Sequence, residues 1–302
     1  MIEIKDVMKS FENKNVLNHL NVTISSGSIF GLIGPNGAGK STTMNIMCGV
    51  LKQTKGNVFV KGINMREHAV EAKRHIGFLP QKPPLHMDLT VEEYLKYSAN
   101  LRHIPGKEIH KAVIDVMGRC GISHFQKRLI RNLSGGYQQR VGIAQAIIHN
   151  PDFVVLDEPT NGLDPNQIME VRHLIKEIAE ERTVVLSTHI LTEVQATCDY
   201  IRMIEQGSLV FAGTVREFDN YITPTSVVVS LLSMPPIDDL RSLPGIVSVE
   251  ELGGTKYRLQ FVNAQEMMEK VVEISNIRGW RLNEIYLEKS SLDAIFAELS
   301  KK

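Results

Sequence analysis

The nine residues Gly34-Pro35-Asn36-Gly37-Ala38-Gly39-Lys40-Ser41-Thr42 constrain this chain more than any other stretch. They fill the pattern G-x-x-x-x-G-K-[ST], between a strand-like run at residues 28–33 and a helix-compatible run at residues 40–51. Glycines let the backbone curl so that successive N–H groups converge on phosphate oxygens, and the following helix adds the positive end of its dipole. The pattern predicts that Lys40 sets its ammonium on the β- and γ-phosphates and that the Ser41 hydroxyl holds Mg2+. By residue frequencies, a chain of this length would match the four specified positions by chance on the order of one time in a hundred.

A second signal is the apolar run Phe153-Val154-Val155-Leu156, which ends in Asp157 and Glu158. Ligands of doubly wound sheets bind at the C-terminal edge of the strands, so Asp157 suits the Mg2+ shell there. Glu158, one residue on, is placed to polarise the water that attacks the γ-phosphate. Alone, such a strand is commonplace; beside a phosphate loop, the two carboxylates become a catalytic proposal. The third signal is Leu133-Ser134-Gly135-Gly136, followed by Tyr137-Gln138-Gln139-Arg140. It puts Ser-Gly-Gly at the start of an expected amphipathic helix running to His149-Asn150-Pro151, a second phosphate-reading surface. One nucleotide cannot use two such surfaces of a single compact subunit if they face apart.

In letters and in order these segments resemble the ABC ATPase family. The resemblance covers residues 1 to about 220 and implies a P-loop NTPase of ABC type: a RecA-like α/β core, an antiparallel β subdomain and a helical subdomain. It implies that Ser134, Gly135 and Gly136 of one subunit contact the ATP held by the phosphate loop of a second copy. Gln81, in Ile76-Gly77-Phe78-Leu79-Pro80-Gln81, resembles the Q-loop glutamine that meets Mg2+ and water and senses the transmembrane partner; read alone, it is an ordinary loop amide. Gly162-Leu163-Asp164 resembles the D-loop that crosses the dimer interface, although Asp164-Pro165 by itself would simply start a helix. His189, after Ser187-Thr188, resembles the switch histidine that bonds the γ-phosphate. Phe11 stands where the family usually has an aromatic stacked on adenine; without the resemblance it reads equally as a core phenylalanine.

Two positions depart from the family's pattern. The commonest signature has Gln where this chain has Tyr137, which offers no side-chain amide to the ribose, and Phe11 replaces the more usual Tyr. The resemblance further implies ATP and Mg2+ as ligands and a homodimer formed on ATP binding. It also implies a separate transmembrane permease subunit that holds the chain on the cytoplasmic face of a membrane.

The rest of the chain bounds this reading. Lys plus Arg equals Asp plus Glu at 34 each in 302 residues, so no overall field favours nucleic acid, and no nucleic-acid partner is expected. The N-terminus has no signal-peptide pattern and no apolar run approaches the roughly 20 residues that span a bilayer. Cys48, Cys120 and Cys198 are scattered and read as small core hydrophobes. Period-two alternation at residues 2–8, 16–24 and 57–60 predicts a small antiparallel sheet, and short apolar runs predict a largely parallel one. Helical spacing from residue 89, opened by the box-like Thr90-Val91-Glu92-Glu93, predicts a helical subdomain over about 89–150.

Prolines at 224, 235, 236 and 244 mark a change of texture. They predict an ABC ATPase domain over 1–222 and an accessory domain over 223–302. The latter reads as strand 226–232, helix 237–243, strand 246–252, strand 256–262, helix 264–275, strand 280–287 and a closing helix at 291–299. That order is ferredoxin-like α+β, and loosely resembles the appended domain of ATPase subunits in ABC-2 type exporters, including multidrug and gliding-motility relatives. The competing function is a soluble ABC protein working on ribosomes or DNA. Its ribosomal members carry two cassettes and its repair members a long coiled coil, and this chain has neither. A cassette that closes without hydrolysis is disfavoured by the intact Asp157, Glu158 and His189.

Overall fold

The computed structural model of the chain describes residues 1–12, 14–221, 226–261 and 264–288. Two compact units emerge, Met1–Val215 and Arg216–Lys302. The boundary expected near residue 222 falls on residues 222–225, outside the described residues.

The first unit opens with β1 (Ile2–Phe11), β2 (Lys14–Ile24), β3 (Ile29–Ile33), α1 (Lys40–Met47), β4 (Lys55–Val60), β5 (Ile63–Asn64), α2 (Ala69–Arg74) and β6 (Ile76–Leu79). Helices α3 (Val91–Leu101), α4 (Gly106–Arg119) and α5 (Gly135–Ile147) follow. The chain then runs through β7 (Phe153–Asp157), α6 (Pro165–Ala179), β8 (Thr183–Thr188), α7 (Leu191–Thr197), β9 (Tyr200–Glu205) and β10 (Ser208–Thr214); α8 (Val215–Asp219) starts on the last residue of this unit and otherwise belongs to the second.

As the alternation predicts, one sheet is antiparallel, in the order β2-β1-β4-β5. The other has the order β10-β9-β3-β8-β7-β6 and is parallel from β9 to β6, with β10 added antiparallel at its edge. The register pairs Ile33 with Thr188, Asp157 with Ser187, and Leu79 with Leu156. Four strand C-termini, and the loops that leave them, are thereby aligned on one edge. Phe30 and Leu32 on one face of β3 share a core with Val155, Val185, Ile2, Ile4, Met44 and Met47. Burying each such side chain is worth about 1.5–3 kcal/mol, so packing between the two sheets is what fixes β3 and the loop after it. The opposite face of β3 is crowded too: a Cβ on Gly31 would lie 3.0 Å from Cys198 Sγ. All three cysteines are buried and unpaired, as expected of small core residues, and burial pushes the Cys120 and Cys198 thiols up to about 12.

In the helical region the capping box forms: Glu93 N donates to Thr90 Oγ1 at 3.3 Å, and Thr90 N donates to Glu93 Oε2 at 2.8 Å. Helix α5 differs from the amphipathic expectation. Gly136, Gln139, Val141, Gly142, Ile143, Ala144, Ala146 and Ile147 are all buried, because α5 lies against β6 and β7 as well as α3 and α4. Small residues permit that approach; a Cβ on Gly77 would stand 2.0 Å from Ala146 O. The helix also ends at Ile147, short of the expected 149–151.

The second unit contains β11 (Ser226–Leu231), α9 (Ile237–Arg241), β12 (Ile246–Gly253), β13 (Lys256–Phe261), α10 (Ala264–Arg278) and β14 (Leu282–Leu287). Its antiparallel order β12-β13-β11-β14 puts the first strand between the third and fourth, the ferredoxin-like arrangement. It has its own core, including Val227, Val229, Leu259, Phe261 and Trp280. The closing helix expected at 291–299 lies outside the described residues.

Candidate functional site

The phosphate loop leaves β3 at Gly34, and its neighbours dictate glycine at two of its positions. A Cβ on Gly34 would stand 2.1 Å from Ile204 O, and one on Gly39 2.7 Å from Leu17 Cδ2, with Gly39 at φ +108°. The turn between β9 and β10 braces the same loop, Gly207 N donating to Ala38 O at 3.0 Å. Gly39 is the N-cap of α1, so the N–H groups of the helix's first turn point into the loop. Lys40, only 5% exposed, donates its ammonium to Gly34 O at 2.7 Å and Pro35 O at 3.0 Å. Burial holds that ammonium below the usual lysine range, opposed by the charges of Glu158 and Asp157. Asn36, Gly37, Gly39, Lys40, Ser41 and Thr42 line a cavity of about 370 Å³ with Gln81 and Glu158.

Asp157 closes β7 and is 2% exposed. Ser41 Oγ donates to its Oδ1 at 3.3 Å, and Ser187 Oγ at the end of β8 donates to the same oxygen at 2.5 Å. Ser187 also accepts from Glu158 N at 2.9 Å, joining both carboxylate residues to the neighbouring strand. Immediately after β7 the backbone turns through Glu158 at φ +48°, a left-handed conformation that costs a non-glycine residue about 1–3 kcal/mol and persists where the surroundings over-determine it.

Three side chains converge on the Glu158 carboxylate. Gln81 Nε2 donates to Oε2 at 3.0 Å, Asn161 Nδ2 donates to Oε2 at 3.1 Å, and His189 Nδ1 lies 3.2 Å from Oε1. The predicted catalytic residues Lys40, Gln81, Glu158 and His189 and the predicted metal residues Ser41 and Asp157 are thus brought to one sheet edge. Asn161 and Ser187 were not among the predicted site residues. They owe their places to the turn after Glu158 and to the β7–β8 register, which residue letters do not carry.

The Ser134-Gly135-Gly136 segment is elsewhere in this unit. Gly136 and Ser134 line a separate cavity of about 250 Å³ with Asp164, Asn166 and Gln167. Ser134 is the N-cap of α5 but makes no side-chain cap bond. Gly136 packs so tightly that a Cβ there would meet Gln167 Cδ at 2.6 Å. Asp164 caps α6, accepting from Asn166 N and Gln167 N at 3.0 Å each, so the residue of the expected interface loop also performs the helix-starting role. Tyr137 is half-buried and lines the same cavity as Ser134 and Gly136, 4.5 Å centroid to centroid from Phe125 in an edge-on contact. Phe11 is 45% exposed and so is no core residue; Lys9 Nζ sits 4.6 Å over its ring. Lys14 and Val16, across the hairpin from Phe11, line the phosphate cavity and Phe11 itself does not.

A phosphate loop on a parallel sheet, with buried Asp157 and a hydrogen-bonded Glu158 at the end of β7, one strand removed from β3, defines a nucleoside triphosphatase of the P-loop class. Comparison with known proteins narrows this. The family model for ABC transporters matches residues 17–161. The chain is 37% identical over 211 residues to the bacitracin transport ATP-binding protein BcrA of Bacillus licheniformis, covering 69% of this chain and 68% of that protein. It is 30% identical over 302 residues to YhcH of Bacillus subtilis, an uncharacterized ABC transporter ATP-binding protein, covering 99% of this chain and 96% of that one. Among solved structures it resembles a dimeric ATP-binding cassette in a post-hydrolysis state bound to ADP and Pi. That likeness has a TM-score of 0.65 and 28% identity, over 72% of this chain and 99% of that one. The chain belongs to the ATP-binding proteins of ABC transporters; it is an ATPase whose hydrolysis powers transport. No helix among the described residues is long and apolar enough to cross a membrane.

Proposed function

We propose that the chain works as a pair of copies that close on two ATP molecules and open on hydrolysis, with Glu158 polarising the attacking water and His189 and Lys40 stabilising the γ-phosphate. The observation that carries this reading is the convergence of Gln81, Asn161 and His189 on Glu158, beside the cavity that Lys40 lines. Catalysis here is positioning plus electrostatics around a phosphoryl group, which a prearranged, half-buried carboxylate suits. Mg2+ fits the donor set. Ser41 and Asp157 offer two hard oxygens 3.3 Å apart, and a nucleotide-bound magnesium needs only one or two protein ligands besides phosphates and water. Ser41 and Asp157 would hold it, with Gln81 nearby, and it would neutralise charge on the phosphates. Phe11, on its hairpin, would stack on adenine through the ring face not covered by Lys9.

The separate position of Ser134, Gly135 and Gly136 supports their use in trans, on the ATP of the second copy. Membrane attachment would come from a permease subunit on the cytoplasmic side. Kinship with a bacitracin transport subunit favours export, and disfavours a cassette acting without a membrane partner. Residues 1–222 then form the ATPase domain and 223–302 an accessory domain. The test mixes two crippled chains. Lys40→Ala spoils the loop and Gly136→Ala spoils the opposing surface, so a mixed pair retains one intact composite site. Turnover regained on mixing supports the arrangement; two inactive chains that stay inactive together, though each still dimerises, refute it.

A further inference from the structure

Glu193, on α7, is 5% exposed and lines no part of the phosphate cavity, yet one of its oxygens gathers two distant segments. Thr160 Oγ1 donates to Glu193 Oε2 at 2.8 Å, and Thr188 Oγ1 donates to the same oxygen at 2.9 Å. Thr160 follows Glu158 by two residues, and Thr188 immediately precedes His189. The Thr188 hydroxyl also accepts from Ile190 N at 3.0 Å, closing a small ring of bonds around His189. Arg172 Nη2 on α6 stands 3.8 Å from the other oxygen, Oε1.

A buried carboxylate is costly unless its oxygens are paired, and this one is paired on both. The loops it ties together are those that need restraint. Glu158 holds a left-handed backbone, and His189 must stay 3.2 Å from it although both leave strand ends as loop residues. We infer that Glu193 is a positioning residue for ATP hydrolysis: by tying Thr160 to Thr188 it sets the spacing between Glu158 and His189. This rests on the reading of those two as the hydrolytic pair.

The test compares Glu193→Ala and Glu193→Gln in the full chain, each with and without His189→Ala, residual turnover being followed with radiolabelled ATP. Glutamine keeps a carbonyl oxygen able to accept both threonine hydroxyls; alanine keeps none. Glu193→Ala is expected to lower kcat on the order of ten- to a hundredfold, the scale of an ångström-sized misplacement, with the ATP Kd unchanged. Glu193→Gln should stay within about threefold of the parent, and Glu193→Ala should add nothing once His189 is gone. Full kcat in Glu193→Ala, an equal loss in the glutamine variant, or an equal loss with and without His189 overturns the inference. If Glu193→Ala does not fold, Thr160→Val and Thr188→Val carry the same comparison. Undiminished turnover in His189→Ala alone is a different failure, and removes the hydrolytic pair itself.

Discussion

His189 Nδ1 lies 3.2 Å from Glu158 Oε1, although 31 residues separate them in the chain. The pairing comes from the parallel sheet, which ends β7 and β8 side by side. Replacing Glu158 by Gln keeps the shape of this contact and removes the base proposed for the attacking water. Turnover should fall by about 10²–10⁴, while ATP binding persists and the ATP-loaded dimer accumulates. A phosphate-release assay and size-exclusion chromatography with ATP read the two effects; hydrolysis at the parent rate would remove Glu158 from the mechanism.

Ser187 bonds Asp157 and the backbone of Glu158 from one hydroxyl. Ser187→Ala leaves the part-buried Glu158 N–H unpaired and takes a donor from the buried Asp157 carboxylate, at a cost of about 1–3 kcal/mol. Urea unfolding should show that loss, and kcat should fall more than ATP affinity because both carboxylates are loosened. An unaltered unfolding midpoint would contradict the bridge.

The two glycines Gly34 and Gly37 offer an internal comparison. A Cβ at Gly34 runs into Ile204 O at 2.1 Å, whereas one at Gly37, with φ +83°, meets nothing within 4 Å. Gly37→Ala should cost only its backbone conformation, about 1–2 kcal/mol. Gly34→Ala should cost more, by about 1–3 kcal/mol for the forced shift. Thermal melts without nucleotide rank the pair, and the reverse order would mean that the β9–β10 turn yields freely.

His149 gives a pH signature. Burial, with Arg102 and Arg182 adding to it, lowers its pKa to about 4, and its Nε2 is 3.1 Å from Ile76 O. A histidine held neutral stabilises the fold fully above its unfolded pKa of about 6.5; that stability is lost as pH falls toward about 4. The loss amounts to at most about 3 kcal/mol. His149→Gln can still donate to Ile76 O but does not titrate, so its unfolding free energy should fall less steeply than the parent's over that window. Parallel curves would show that His149 is not held neutral.

Much of this architecture can be read from residue letters where chemistry is local. The Thr90 capping box, the Asp164-Pro165 helix start and the strand before Gly34 each follow from neighbours a few positions apart. What could not be read depends on register. Ser187 and Glu193 matter because β7 and β8 lie side by side and α7 packs back against β8 and α6, and neither has a distinctive sequence context. The amphipathic expectation for α5 failed for a related reason: a helix packed against both a sheet and two helices is apolar and small-residued around most of its circumference. Tyr137 is a further case. It departs from the family letter, and its ring makes an edge-on contact with Phe125 that sequence spacing does not announce.

The alignment of Thr188 with Ile33 and of Ser187 with Asp157 also limits how this chain can change. One residue added to or removed from β8 would displace everything beyond it by about 3.3 Å and turn each side chain to the other face. Ser187, Thr188 and His189 would lose their partners together. Replacement of one apolar residue by another in β8 leaves that ruler unmarked, so the strand can drift in composition while its length stays fixed.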